Sequence, residues 1–171
     1  TIKTAGGGRY GLRAGSFTNS SRAKLEADGG AGGGDGVYVS ASFNNEGNVT
    51  ATGGTGGHGI NAYASFDNSG KVVAKGGTSS GHGISTINFT NNAAGALTAF
   101  GGESGRGVSV TGTFSNSGRV ETTGGANGYG IYANLFHNKS VGLVEANSSP
   151  RYALYANTFT NDPGGTILAK G

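Results

Sequence analysis

Phenylalanine recurs at Phe17, Phe43, Phe66, Phe89, Phe114, Phe136 and Phe159, with spacings of 26, 23, 23, 25, 22 and 23 residues. An asparagine stands two residues after each one: Asn19, Asn45, Asn68, Asn91, Asn116, Asn138 and Asn161. A branched aliphatic comes next in every unit (Leu25, Val49, Val72, Leu97, Val120, Val144, Ile167). Two residues beyond it stands Ala27, Ala51, Ala74, Ala99, Thr122, Ala146 or Ala169. After a glycine-rich stretch a second aliphatic returns at Val37, Ile60, Ile84, Val108, Ile131 and Leu154. Half a unit precedes Phe17, with Ile2 and Thr4, then Leu12 and Ala14. One unit of about 23 residues holds too few apolar residues for a core, whereas stacked units bury a continuous one, so the chain reads as a solenoid.

Within a unit the runs V-x-A and I-x-A alternate apolar and other residues, the period of a strand. Between them lie Gly, Asn and Ser, which are turn formers. No stretch carries apolar residues at helical spacing. The expected fold is therefore all-β: a parallel β-helix of about seven to eight coils with ~23 residues per coil, equivalent positions lying ~4.8 Å apart. The seven Phe side chains are expected as a buried internal stack and the seven Asn side chains as a buried corner ladder of amides. Six units place Gly two residues before the first aliphatic (Gly47, Gly70, Gly95, Gly118, Gly142, Gly165). A glycine at one fixed place in a turn suggests that backbone conformation is being selected there.

The units run Thr1–Ser16, Phe17–Ser42, Phe43–Ser65, Phe66–Asn88, Phe89–Thr113, Phe114–Leu135, Phe136–Thr158 and Phe159–Gly171, one domain with no linker and no evident caps. Glycine accounts for 37 of 171 residues. Such an excess suits a disordered chain, but disorder requires no Phe at fixed phase. Lys and Arg number 12 against 9 acids, scattered without a run, which gives no support to nucleic-acid or anionic-membrane binding. Cysteine is absent, which removes disulfides and thiolate chemistry. Without Met, signal peptide or long apolar run, the chain reads as a processed or excised segment that does not span a membrane.

Few residues offer chemistry. Glu26, Glu121 and Glu145 share one outward position, and only Glu121 and Glu145 fall in neighbouring units; such a pair is a weak signal for a general acid and base. Tyr10, Asp35, His58, His82, Arg106, Tyr129 and Tyr152 share another phase. His58 and His82, with Asp35, are two or three ligands where a metal site needs three or four, and a ladder of large polar side chains is the better reading. Gly57–Ala62 and Gly128–Ala133 fit a dinucleotide-binding pattern by letter, but a strand follows the glycines where that fingerprint needs a helix. The expectation is no catalytic residue, no metal and no cofactor. Tyr132 and Tyr155 follow Ile131 and Leu154 directly and should point outward near Tyr129 and Tyr152, a candidate binding surface.

The units F-x-N-x-G-x-V-x-A-x-G-G and G-x-G-I-x-A resemble the passenger repeats of autotransporters and of filamentous-haemagglutinin-like secreted adhesins. That resemblance covers the whole chain. It implies a right-handed parallel β-helix, an extracellular or cell-surface location, and a non-catalytic role in attachment or self-association, with a host or neighbouring-cell surface as partner. An alternative is a filament subunit: Thr1–Gly6 and Thr166–Gly171 share one phase, so Ile2 and Thr4 of one copy would sit over Ile167 and Ala169 of another, with the Phe and Asn ladders continuing through the junction. A polysaccharide-acting β-helix enzyme is a weaker alternative.

Overall fold

A computed structural model describes all 171 residues as a parallel β-solenoid. The V-x-A runs form an eight-stranded parallel sheet: Ile2–Ala5, Lys24–Asp28, Asn48–Thr52, Lys71–Lys75, Ala96–Phe100, Arg119–Thr123, Leu143–Asn147 and Thr166–Lys170. The second parallel sheet carries both the I-x-A and F-x-N runs. In the first two coils these are separate strands, Leu12–Ala14 and Phe17–Asn19, then Val37–Val39 and Ser42–Asn45. From the third coil on they merge into Ile60–Asn68, Ile84–Asn91, Val108–Asn116, Ile131–Asn138 and Leu154–Asn161. F-x-N is thus strand, where alternation alone marked only two strand runs per unit.

The register follows the repeat. Val49, Val72, Leu97, Val120 and Val144 are partners in succession, as are Phe43, Phe66, Phe89, Phe114 and Phe136. Six residues separate Ile60 from Phe66 but only five separate Ile84 from Phe89. The register shifts there, between Thr86 and Asn88, as one extra residue in a strand requires. The shift is confined to the outer bend, so both inward columns stay aligned.

Inside, Leu25, Val49, Val72, Leu97, Val120 and Val144 meet Val37, Ile60, Ile84, Val108 and Ile131 in one buried cluster. Thr4 and Thr122 stand where their column otherwise holds Ala, and the buried Oγ1 of each has no hydrogen-bond partner. The Phe rings are in contact throughout: Phe43–Phe66 centroids are 4.7 Å apart with nearly parallel planes, and Phe66–Phe89 are 5.4 Å apart, edge to face at 62°. The expectation that all seven Phe and Asn would be buried fails at the ends. Phe17 is half-buried, Phe159 is 49% exposed and Asn161 is exposed, because a terminal coil has a neighbour on one side only.

The asparagine ladder runs in one direction. Each Nδ2 donates to the Oδ1 of the next coil: Asn19 to Asn45, Asn45 to Asn68, Asn68 to Asn91, Asn91 to Asn116, Asn116 to Asn138 and Asn138 to Asn161, all at 2.8–2.9 Å. The amide also closes its own turn: Asn45 Nδ2 donates to the Gly47 carbonyl, and Gly70 N donates to Asn68 Oδ1. Asn68→Ala is therefore expected to cost about 2–3 kcal/mol, because it strands the Asn91 Oδ1 and the Gly70 amide together. Asp67→Ala, one residue away on the outer face, should stay within about 0.5 kcal/mol. Equal denaturant midpoints for the two variants would contradict the ladder.

The turn glycines have a different cause from the one expected. None of Gly47, Gly70, Gly95, Gly118, Gly142 and Gly165 has positive φ. A Cβ on Gly70 would instead land on the Gly47 carbonyl oxygen of the coil before. Close stacking of turns selects glycine there; a left-handed backbone does not.

Candidate functional site

The loop that leads each coil into its second aliphatic ends on the column Tyr10, Asp35, His58, His82, Arg106, Tyr129 and Tyr152. A second outward column, one residue past the aliphatic, runs Arg13, Tyr38, Asn61, Ser85, Ser109, Tyr132 and Tyr155. In the last two coils the two columns put four tyrosines side by side. Tyr132 and Tyr155 stack with centroids 5.2 Å apart at 6°, and Tyr129 and Tyr152 lie 6.2 Å apart at 7°. Tyr129 also tilts against Tyr132 and Tyr155, at 5.9 and 5.8 Å. Tyr132 and Tyr155 point outward with Tyr129 and Tyr152 beside them, as the sequence indicates, and Tyr152 is 68% exposed.

Arg106 closes one side of this ledge. Its guanidinium lies 3.9 Å from the Tyr132 ring centroid and 5.6 Å from that of Tyr129, and its Nη1 donates to Ser109 Oγ at 2.9 Å. A cation over a ring face at this distance is attractive. Tyr155 donates its hydroxyl to Asn157 Oδ1, and Asn157 Nδ2 donates to Asn134 Oδ1. The ledge thus combines aromatic edges, hydroxyls, amides and one guanidinium. Such a surface offers apolar contact and hydrogen bonds together. The sequence places Arg106 in the column of Tyr129 but not against Tyr132, and the Asn134–Asn157 pair was not singled out. Each sits one coil or a few residues from a tyrosine, and only alignment of columns brings them into view.

The first half of the loop column is occupied internally. Asp35 is buried, its Oδ1 accepting from His58 N at 2.7 Å and its Oδ2 from Asn61 Nδ2 at 3.0 Å. His58 Nδ1 accepts from His82 N, and His82 Nδ1 from Arg106 N, both at 3.0 Å. The imidazoles stack at 4.8 Å. A ring whose Nδ1 accepts an N–H carries its proton on Nε2 when neutral. Neither ring then has a lone pair free for a metal. The polar ladder favoured from the sequence is what the geometry shows.

The carboxylates of the outward face are held by neighbouring cations. Glu26 pairs with Lys24 and Lys3, which hold its carboxyl down at about 2. Glu121 and Glu145 are coil partners, as the sequence indicates, and Arg119 bridges both. All four ion pairs are solvent-facing, and such pairs contribute little to stability. Phe100 ends its strand on the same face, half-exposed between Lys75 and Thr123.

At the ends, Ile2 and Thr4 pair with Leu25 and Ala27, and Ile167 and Ala169 with Val144 and Ala146. Both termini are strands of the first sheet, which counts eight rows, while Leu12 through Leu154 make seven. Ile2 of a second copy seated on Ile167 would leave the row between Leu154 and Leu12 vacant. The Phe and Asn ladders would then break at the junction, where continuity had been expected. No protein family, no curated protein and no solved structure matches the chain.

Proposed function

We propose that this chain is a non-catalytic structural and adhesive rod, the stalk or passenger of an extracellular surface adhesin. The carrying observation is the division between inside and outside. The inward Phe, Asn, aliphatic and alanine positions are given over to coil-to-coil ladders from one end to the other. Outside, the most coherent concentration of recognition chemistry is the Tyr129–Tyr132–Tyr152–Tyr155 ledge with Arg106. Exposed clusters of aromatic residues are typical of contact surfaces. The resemblance to passenger repeats, whose families avoid cysteine as this chain does, supports an extracellular location, with a cell surface as the partner.

The test is attachment. Beads coated with the chain are expected to bind or clump cells. The double variant Tyr132→Ser/Tyr155→Ser is expected to lose at least about five-fold of that binding, equivalent to about 1 kcal/mol of contact energy over the pair. Circular dichroism should show the variant still folded. Failure of the unaltered chain to attach would overturn the adhesive reading, and undiminished attachment by the double variant would move the contact off the ledge.

A further inference from the structure

The histidine column does more than fill a loop. Side chains along it hold the backbone of the following coil: Asp35 takes the His58 amide, His58 the His82 amide, and His82 the Arg106 amide. The series stops at Arg106, because a guanidinium has no acceptor; it turns onto Tyr132 instead. Asp35 accepts through a carboxylate oxygen, but each imidazole accepts only while neutral. Protonation would turn Nδ1 from acceptor into a donor facing another donor, and would place a cation against a stacked ring.

We propose that His58 and His82 form an acid-sensitive clasp that holds the glycine loops of the third, fourth and fifth coils and releases them as the pH falls, while the solenoid stays standing. The inference does not depend on the adhesive reading. The charged groups on the column are Asp35 on one side and Arg106 on the other. The flanking loops bring Thr55, Thr78, Ser79 and Ser80, none of which titrates, and Glu103 is exposed in its own loop. Asp35 favours the charged form of His58, but burial outweighs it and lowers that imidazole. His82 is pushed down to about 4 by burial first, then by His58 and Arg106.

The sign follows from these directions. In the released loop a His82 of ordinary pKa 6.5 binds a proton that the closed loop refuses until about pH 4. Opening is therefore favoured as pH falls from about 6.5 toward about 4, and the effect levels off below that. From His82 alone, the opening equilibrium should rise roughly thirty-fold between pH 7.5 and pH 5. His58, lowered in the same direction, adds to this.

The test is amide hydrogen exchange on the full chain, expressed as protection factors so that the intrinsic pH dependence is removed. Between pH 7.5 and pH 5 the His82 and Arg106 amides should lose protection by about thirty-fold or more. The His58 amide, held by Asp35, and the Val72 and Val120 amides should hold theirs. His58→Asn/His82→Asn supplies an acceptor that does not titrate and should abolish the pH response. The nitrogen-15 shifts of both imidazoles at pH 7.5 should show the Nε2–H tautomer. Protection that is independent of pH, that falls equally across the chain, or that falls as much in the double variant would overturn the clasp, as would an Nδ1–H tautomer.

Discussion

Phe66→Ala should lower stability by about 3–5 kcal/mol, among the largest losses open to a single side chain here. Phe66 is fully buried between Phe43 and Phe89, and nothing in a parallel stack can collapse into the space it leaves, because both neighbouring rings are held by their own strands. The cost therefore combines lost transfer energy, lost ring contacts and an unrelaxed cavity. Phe159 supplies the control. It occupies the same column, 5.1 Å from Phe136, but is half-exposed, its ring stacked on one side only. Phe159→Ala should cost no more than about 1–2 kcal/mol, in proportion to the area it buries. Denaturant midpoints measured on the two variants decide the matter. Similar losses would mean that the Phe column is not the interior of a stack.

Gly77→Ala should be nearly as damaging, at about 3 kcal/mol or more, although it adds a single methyl group. A Cβ at Gly77 would fall onto the Gly54 carbonyl of the coil before, and the same collision recurs for Gly102 on Gly77 and Gly125 on Gly102. These are backbone atoms fixed in a ladder, since Gly77 N donates to Gly57 O and Gly102 N to Gly81 O, each at 2.8 Å. Neither side can yield without breaking hydrogen bonds in two coils. Gly56 lies in the preceding loop and is exposed, and a Cβ there meets nothing within 4 Å. Gly56→Ala should be neutral, or stabilise by a few tenths of a kcal/mol through the unfolded chain. If both alanines were tolerated, the loops would not be stacked as described.

These two variants also mark where the sequence was legible and where it was not. The inward columns could be read directly, because a parallel solenoid forces each inward position to repeat its chemistry. Phe at 43, 66, 89, 114 and 136 and Asn at 45, 68, 91, 116 and 138 have no other use. The glycine loops were harder. Glycine has no side chain to advertise a role, so Gly54, Gly77, Gly102 and Gly125 read only as part of a glycine-rich stretch, where the structure shows a column of touching backbone. The turn glycines were read as conformational when their cause is proximity. The strand nature of F-x-N was hidden because the bend between Ala62 and Phe66 interrupts the alternation. The burial of terminal residues depends on what stands beyond them, which no repeat pattern carries: Phe159 and Asn161 have the same letters as their buried counterparts.

The candidate surface was half visible. Tyr132 and Tyr155 declared themselves through their place after an aliphatic residue. Position 106 was legible as one coil below Tyr129, but the seat of its guanidinium over the Tyr132 ring required knowing that the two columns adjoin. The histidine pair was placed correctly by phase, but its Nδ1 acceptors emerge only when the ring orientation and the amide above it are both known.

The most direct test of the central claim, a rod of in-register coils, is a distance along one outward column. Lys3, Thr50 and Leu168 occupy the same position of the first sheet and are exposed. With ~4.8 Å per coil, Thr50 and Leu168 are five coils apart, about 24 Å, and Lys3 and Leu168 seven coils apart, about 34 Å. The chain has no cysteine, so cysteines substituted in pairs at these sites can be spin-labelled without background. Double electron–electron resonance should give two narrow distributions centred near those separations after allowance for the label arms, differing from each other by about 10 Å. Broad distributions, or a difference between the two pairs that does not match two coil rises, would contradict the solenoid.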